Sequence, residues 1–160
     1  PEGLKVIGTL AFEMNNLTEL EIPTTVTYIG YGVINGNYLP EEKAYIFARN
    51  SDGSIDDTTL VSYGGNNSRT VTIPSTVKVI KTGAIARLTY ANTIIIPPSV
   101  EVIENKAFFK ATWNNQTLTK VVNQTGKSFN WGNILYNTPG FEFVTGTIVS
   151  SYGNVEVVSA

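Results

Sequence analysis

The 160-residue sequence predicts a solenoid, a fold in which short β-rich coils stack side by side around one continuous core. A short phrase recurs along the chain, with prolines 22 or 23 residues apart where the copies are adjacent. A unit of that size is too small to bury its own apolar residues, so neighbouring units must stack. Charged residues make up only 15% of the chain, against roughly 25% in an average domain, and threonine, asparagine and serine supply the polar share, which favours β structure.

The recurring phrase is an apolar residue, a proline, two mostly small polar residues, an aliphatic residue, two further residues and an isoleucine. It occurs at residues 22–29, 73–80 and 96–103, and Pro1–Ile7 is a copy that lacks its first position. Pro74 follows Pro23 by 51 residues, which is two periods plus a few residues. We therefore expect one degenerate repeat in that interval.

Each part of the repeat predicts an element. In the segment before Pro23, Leu20 and Ile22 alternate with Glu19 and Glu21, which predicts a strand with the aliphatic residues inward. The proline ends the strand, where its missing N–H costs least. The aliphatic residue and isoleucine after the proline then face inward again.

A small residue followed by a bulky one closes each coil, four residues after the isoleucine. We expect the bulky residue to fill the interior and the small one to allow close approach of the next coil. These pairs are Ala11-Phe12, Val33-Ile34, Ala84-Ile85 and Ala107-Phe108.

These motifs resemble the BspA-like, or treponemal, leucine-rich repeats, whose pattern is close to LxxIxIPxxVxxIxxxAFxxC. The resemblance covers roughly residues 1–124 and implies a right-handed leucine-rich repeat solenoid on a bacterial or parasite surface, typically in adhesion or binding of host proteins. The cysteine of that pattern is absent, and Asn16 lies near its place. Asn123-Gln124 replaces Ile-Pro, so we expect the array to end there and residues 125–160 to form a capping segment of the same domain.

Residues 35–66 break the rhythm and predict an inserted hairpin, with strands at 44–48 and 58–63 around an Asp-Gly turn. Polar residues alternate through the turn from Asn50 to Asp56, which suggests a calcium site as an alternative. On an EF-hand frame, however, the first ligand is Ala48 and the twelfth is Thr59, and the bidentate glutamate is missing. A solvated turn is the preferred interpretation.

The last part of the chain predicts a cap for the open end of the solenoid. Phe129 and Trp131 begin a short helical turn and act as plugs, and residues 141–149 and 154–158 form two strands. Residues 125–128, Thr-Gly-Lys-Ser, match the end of the phosphate-binding loop motif. That motif requires a glycine at position 121, which is Val121 here, so we interpret residues 125–128 as a polar turn. The tail also loosely resembles repeat regions of type IV pilin-like proteins of Gram-positive bacteria.

Composition excludes several classes of function. The chain has no histidine and no cysteine, so the usual imidazole and thiolate catalysts, and ordinary zinc, haem and iron–sulfur sites, are missing, and we expect neither enzyme activity nor a cofactor. A net charge of −2 gives no reason to expect nucleic acid binding. The longest apolar runs are too short to span a membrane. We expect an extracellular location, with any targeting segment upstream of Pro1.

Stacked coils place equivalent outward residues in ladders, and these define the candidate binding surface. Two positions before the proline the ladder is Glu21, Thr72, Ile95 and Val122; four positions before, it is Glu19, Thr70, Thr93 and Lys120. Tyr90 and Trp113 are added as exposed aromatics, and Tyr28, Tyr31 and Trp131 are either further surface aromatics or packing residues. Lys78 and Glu101 occupy equivalent positions in adjacent coils and predict an ion pair.

The sequence therefore predicts a non-enzymatic cell-surface module that binds an extracellular protein, through the sheet and the inserted hairpin. The alternative is a structural module of a pilus or surface assembly that contacts copies of itself. A carbohydrate-binding surface is a third possibility. The identity of the ligand does not follow from these patterns.

Overall fold

The computed structural model describes residues 2–65, 68–88, 90–109, 118–135, 142–144, 146–150 and 153–160. The chain winds into a mostly β solenoid, as predicted. We number the coils from the repeats: coil 1 is 2–22, coil 2 is 23–43, coil 3 is 59–73, coil 4 is 74–96 and coil 5 is 97–123.

Almost all regular structure is short strand. The strands are β1 Val6–Ile7, β2 Tyr28–Ile29, β3 Tyr45–Arg49, β4 Ile55–Tyr63, β5 Thr70–Thr72, β6 Val79–Ile80, β7 Thr93–Ile96, β8 Val102–Ile103, β9 Lys120–Asn123, β10 Glu142–Val144, β11 Thr147–Ser150 and β12 Gly153–Ser159. The helical elements of the described residues are the 3-10 turn Glu41–Lys43 and α1 Trp131–Ile134.

The described strands form one sheet on each of two sides of the solenoid, with a separate β1–β2 pair beside the second. The long-strand sheet has the order β10-β11-β12-β9-β7-β5, and its β5, β7, β9 and β12 run parallel. The short-strand sheet has the order β3-β4-β6-β8. Parallel β1 and β2 pair Val6 with Tyr28 and Ile7 with Ile29.

The core is continuous from the first coil to the last segment. Val26, Val77 and Val100 are completely buried members of one hydrophobic cluster, and Val79 and Ile80 pair in register with Val102 and Ile103. The recurring phrase therefore marks successive rungs around a shared interior, as the sequence predicts. A fully buried Val or Ile contributes about 1.5–3 kcal/mol.

The small-plus-bulky pairs behave as predicted in coils 2, 4 and 5, where both residues are buried. The prediction is wrong for coil 1, in which Ala11 is exposed and Phe12 is 37% exposed. Among the described residues, coil 1 packs against coil 2 on one side, and these two side chains lie on the side that no described coil covers. Its turn still joins coil 2 through the Phe12 N–H, which donates to the Val33 carbonyl at 2.8 Å.

The inserted hairpin is present and supplies the degenerate repeat. β3 and β4 are antiparallel with two register shifts, and β4 pairs in parallel with β6 through Thr59–Val79 and Leu60–Ile80. β4 thus provides the rung missing between coils 2 and 4. The hairpin turn packs on coil 2, since a Cβ added to Gly53 would lie 2.2 Å from the Thr24 carbonyl oxygen.

The segment after residue 124 extends the solenoid on both of its sides, through α1 on one side and β12 on the other. In α1, the Ile134 carbonyl accepts from Phe108 N–H at 3.1 Å, and Trp131 is buried against Phe129, with ring centroids 5.5 Å apart. β12 pairs with β9. The strand predicted over 141–149 is wrong, because Gly146, at φ +82°, turns the chain and separates β10 from β11.

Candidate binding surface

The outer face of the long-strand sheet, here called the sheet face, carries two parallel rows of side chains. The register places Thr70, Thr93, Lys120 and Glu156 in a first row and Thr72, Ile95, Val122 and Val158 in a second. Between the rows, inward-pointing Val71, Ile94 and Val121 are completely buried. This alternation anchors each strand to the core and leaves the two rows outward.

The two rows differ in chemistry. The first row is polar and ends on a lysine and a glutamate that face each other across β9 and β12. The second row is largely aliphatic, and Ile95, Val122 and Val158 are half-buried. Since neighbouring strands lie about 4.8 Å apart, each row offers closely spaced contacts along a flat surface.

Glu19 and Glu21 do not join the sheet face, and this part of the predicted ladders is wrong. Residues 17–23 form no strand, although exposed Glu19 and Glu21 do alternate with half-buried Leu20 and Ile22. The edge of the sheet beyond β5 is instead occupied by Tyr45, whose single O–H is shared between the Thr72 carbonyl and the Glu41 carboxylate, both 2.8 Å from the hydroxyl oxygen.

A carboxylate holds the tyrosines at this edge. Glu41 accepts from the Tyr45 hydroxyl at 2.8 Å and from the Tyr63 hydroxyl at 2.9 Å. The two rings lie 4.9 Å apart. Burial, reinforced by the Glu41 carboxylate, raises the pKa of both phenols far above the usual value. They therefore remain neutral donors, and the cluster fixes one border of the sheet face.

Tyr90 extends the sheet face at the start of β7. It is 44% exposed, and the Arg69 guanidinium carbon lies 5.1 Å from its ring centroid, within cation–π range. Trp113, the other aromatic predicted for this surface, lies outside the described residues.

Sequence reasoning missed Arg69, Glu156 and Val158. A signal for Arg69 exists, because it lies one position before the first row at the start of the rung. No signal placed residues 156–158, because the tail lacks the proline phrase that sets the register of the other coils.

The predicted ion pair on the short-strand sheet is present. Lys78 Nζ lies 3.9 Å from Glu101 Oε1, and both side chains are 57% exposed. At that exposure the pair contributes about 0–1 kcal/mol, so it indicates register more than stability.

The hairpin turn uses its acidic side chains internally. Asp52 accepts from the Ser54 hydroxyl at 2.6 Å, and Asp56 accepts from the Thr58 hydroxyl at 2.6 Å. These hydroxyl bonds hold the pKa of each carboxyl below its usual value. Among the described residues, no group of three metal-ligating side chains comes together.

The stretch 125–128 is a turn after β9. Asn123 accepts from Thr125 N–H at 3.1 Å and donates to the Lys127 carbonyl at 2.8 Å. In the described part of the chain, no helix is long and apolar enough to cross a bilayer.

The sheet face, with its two rows of side chains, suits contact with a broad partner surface.

Comparison with known proteins agrees with this architecture. The model of the BspA type leucine rich repeat region matches residues 1–43 and 59–137, in six copies. The unmatched stretch between them is β3 with the hairpin turn, and the match resumes where β4 becomes a rung.

A solved leucine-rich cell surface protein from Faecalibacterium prausnitzii A2-165 has a similar fold, with a TM-score of 0.55 and 23% identity over 76% of this chain. The chain spans about 33% of the length of that structure. A search of curated proteins gave no match.

Proposed function

Because the chain belongs to the BspA-type leucine-rich repeat family, we propose that it is a non-enzymatic module of a cell-surface protein that binds an extracellular protein through the sheet face. A cell-surface location is supported by the family and by the structural neighbour, which is described as a cell surface protein.

The observation that carries the proposal is the pairing of an aliphatic row with a polar row on one rigid sheet. Protein interfaces place apolar residues at their centre and polar residues at their rim. Ile95 and Val122 provide the apolar centre, while Lys120 and Glu156 offer charges of both signs. Repeat solenoids present such extended surfaces because each coil adds equivalent positions.

The test places a charge in the middle of the aliphatic row. The Ile95→Asp variant and the unchanged chain are measured against a panel of immobilised, purified extracellular matrix proteins. We expect at least one to bind the unchanged chain, with about a tenfold or greater loss for Ile95→Asp, because a charge in an apolar interface centre is strongly unfavourable.

A matched control lies on the other side of the solenoid. Val102 is a 48% exposed strand residue of the short-strand sheet, so Val102→Asp introduces the same charge away from the sheet face. Equal losses for both variants, at unchanged thermal stability, contradict the sheet face as the binding surface. No binding by any panel member contradicts the proposed class of partner.

A second candidate function is self-assembly, favoured by the exposed apolar residues of coil 1. Leu10 is 43% and Met14 is 60% exposed beside Phe12. Sedimentation velocity over a wide concentration range tests it: association that Leu10→Ser and Met14→Ser together abolish supports assembly through this end. A chain that stays monomeric at every concentration contradicts it.

A further inference from the structure

A concave site lies on the other side of the solenoid from the sheet face, where β2, β3 and β4 meet. This groove has a volume of about 360 Å³, and its lining includes Tyr28, Tyr31, Arg49 and Lys81. None of these residues belongs to the sheet face. We call it the junction groove.

The junction groove results from the insertion. β3 contacts β2 as well as β4, so the regular contact of one short strand with the next is interrupted between coils 2 and 3. Tyr28, which points outward from β2, is left 57% exposed beside the end of β3. The groove thus forms at the part of the chain that departs from the repeat.

The aromatic side of the groove is pre-organised. Tyr31 is 41% exposed, and its ring packs on coil 4, since a Cβ added to Gly83 would lie 2.7 Å from the ring. A tyrosine ring held in this way offers a rigid, amphipathic contact area at a low cost in side-chain entropy. Tyr28, which is more exposed, also lines the groove, so two tyrosines lie in one concavity.

The other side of the groove is cationic. Arg49 donates from one terminal nitrogen to the Gly53 carbonyl at 2.9 Å, and within the described ranges no carboxylate lies within ion-pair distance of it. Lys81, by contrast, is paired with Glu104 at 2.5 Å. Arg49 therefore brings an uncompensated charge to the groove, in a chain whose net charge is −2.

We infer that the junction groove binds an anionic saccharide. The hydrophobic face of a sugar ring packs on the tyrosine rings, and its carboxylate or sulfate pairs with the Arg49 guanidinium, whose planar fork suits such oxyanions. The volume lies at the lower end of the roughly 300–1,000 Å³ of small-molecule sites, which suits one or two sugar units. This inference does not depend on the sheet face or on its protein partner.

NMR titration of the full chain tests the inference by following the aromatic signals of Tyr28 and Tyr31 and the Nε–H signal of Arg49. The probes are sialyllactose, which carries a carboxylate, a sulfated N-acetylglucosamine, and neutral lactose. We expect all three residues to shift with at least one anionic probe and not with lactose. The probe that binds more tightly identifies the anionic group.

Substitutions then separate the charge from the rings. Arg49→Gln is expected to weaken binding about tenfold through the loss of a charge-assisted hydrogen bond, and Arg49→Lys to retain part of it. Tyr28→Ala, which leaves the hairpin turn intact, is expected to weaken binding independently. Matched controls are Lys78→Gln and Tyr38→Ala, which remove a cation and a 43% exposed ring outside the groove and should leave affinity unchanged.

Several results overturn the inference. Absence of shifts at Tyr28, Tyr31 and Arg49 with both anionic probes rejects the site. Binding of lactose as tight as that of the anionic sugars rejects the role of Arg49. Tighter binding of an acetylated and amidated aspartate peptide than of either anionic sugar, at the same three residues, shows that the groove selects acidic peptides instead.

Discussion

Arg87 and Glu13 form an ion pair across 74 residues of sequence, with Arg87 Nε donating to Glu13 Oε1 at 2.9 Å. The pair joins coil 4 to coil 1, which are not adjacent in the stack. Coil 3 has an extended strand, β4, where coils 2 and 4 have their closing turns, and the turns of coils 2 and 4 are hydrogen bonded to each other. Asn35 Nδ2 donates to the Gly83 carbonyl at 2.7 Å across the same gap.

The Arg87–Glu13 pair is expected to contribute more to stability than the exposed pair on the short-strand sheet. Its side chains are 27% and 18% exposed, so solvent screens it less. We expect Glu13→Gln to lower the free energy of unfolding by about 1–2 kcal/mol, and the matched Glu101→Gln by about 0–1 kcal/mol. Urea denaturation measures both. Equal and negligible effects indicate that the pair across coil 3 does not stabilise the stack.

Asn37 is a second element that links coils, and it is completely buried. Its Oδ1 accepts from Asn15 N–H at 3.1 Å and from Leu17 N–H at 2.7 Å, and its Nδ2 donates to the Phe12 carbonyl at 2.7 Å and the Ile34 carbonyl at 2.8 Å. One side chain therefore satisfies four backbone groups at the turn of coils 1 and 2.

Removing this amide is expected to be costly, because unpaired buried backbone groups cost about 1–3 kcal/mol each. We expect Asn37→Ala to destabilise the chain by about 3 kcal/mol in urea denaturation, since some groups regain water. The control is Asn50→Ala, which removes an exposed amide that bonds only within the hairpin turn, at 3.0 Å to Ser54. A loss for Asn37→Ala no larger than that for Asn50→Ala contradicts the role assigned to the buried amide.

The sequence predicted the rungs because proline and aliphatic positions repeat at a fixed spacing. It also predicted which residues of β5, β7 and β9 face outward, because these are counted back from the proline phrase, although polar and apolar residues alternate strictly in β5 alone of these three strands. The turns between rungs are less visible. Leu10, Gly32, Gly83 and Lys106 occupy equivalent positions at φ between +59° and +66°, yet only two are glycine. A leucine or a lysine at such a position does not indicate a turn in the sequence, because the positive φ is imposed by the neighbouring coils and not favoured by the residue itself.

The candidate surface was predicted in part for the same reason. Thr70, Thr93 and Lys120 follow from the register of the proline phrase. Glu19 was misplaced because its segment forms no strand and the long-strand sheet ends at β5, where Tyr45 from the insertion lies at the edge. Partners so distant in sequence, like the pair at 13 and 87, leave no periodic signal in the chain.

Two isoleucines that are equivalent in the repeat differ in burial, so truncating them should lower the free energy of unfolding by different amounts. Ile96 is completely buried, whereas Ile22 is half-buried in the outermost coil. We expect Ile96→Ala to cost about 2–5 kcal/mol, the range for aliphatic truncation in a packed core, and Ile22→Ala to cost less than half as much. Urea denaturation of both variants provides the comparison. Equal costs show that coil 1 is packed as tightly as coil 4.

The Glu104 carboxylate predicts a pH dependence of stability. It accepts from Lys81 Nζ at 2.5 Å and from Thr82 N–H at 2.8 Å, linking coil 5 to coil 4. Burial acts to raise the pKa of Glu104, but the hydrogen bonds from Lys81 and Thr82 outweigh it and hold the pKa below the usual 4.5. A carboxyl whose pKa is lower in the folded chain stabilises the fold above its unfolded pKa, and that stabilisation is lost as the pH falls through the folded value.

We therefore expect Glu104→Gln to lower the free energy of unfolding by about 1 kcal/mol at pH 7, given that the two side chains are partly exposed. As the pH falls below 4.5 and through the lower pKa of the folded chain, the difference from the unchanged chain should shrink, because protonation removes the same charge that the substitution removes. Urea denaturation of both chains at several pH values follows this difference. The exposed Glu101→Gln variant serves as the control, with a small difference throughout. A Glu104→Gln difference that persists undiminished at pH 3 shows that the carboxylate charge is not what stabilises this link between coils.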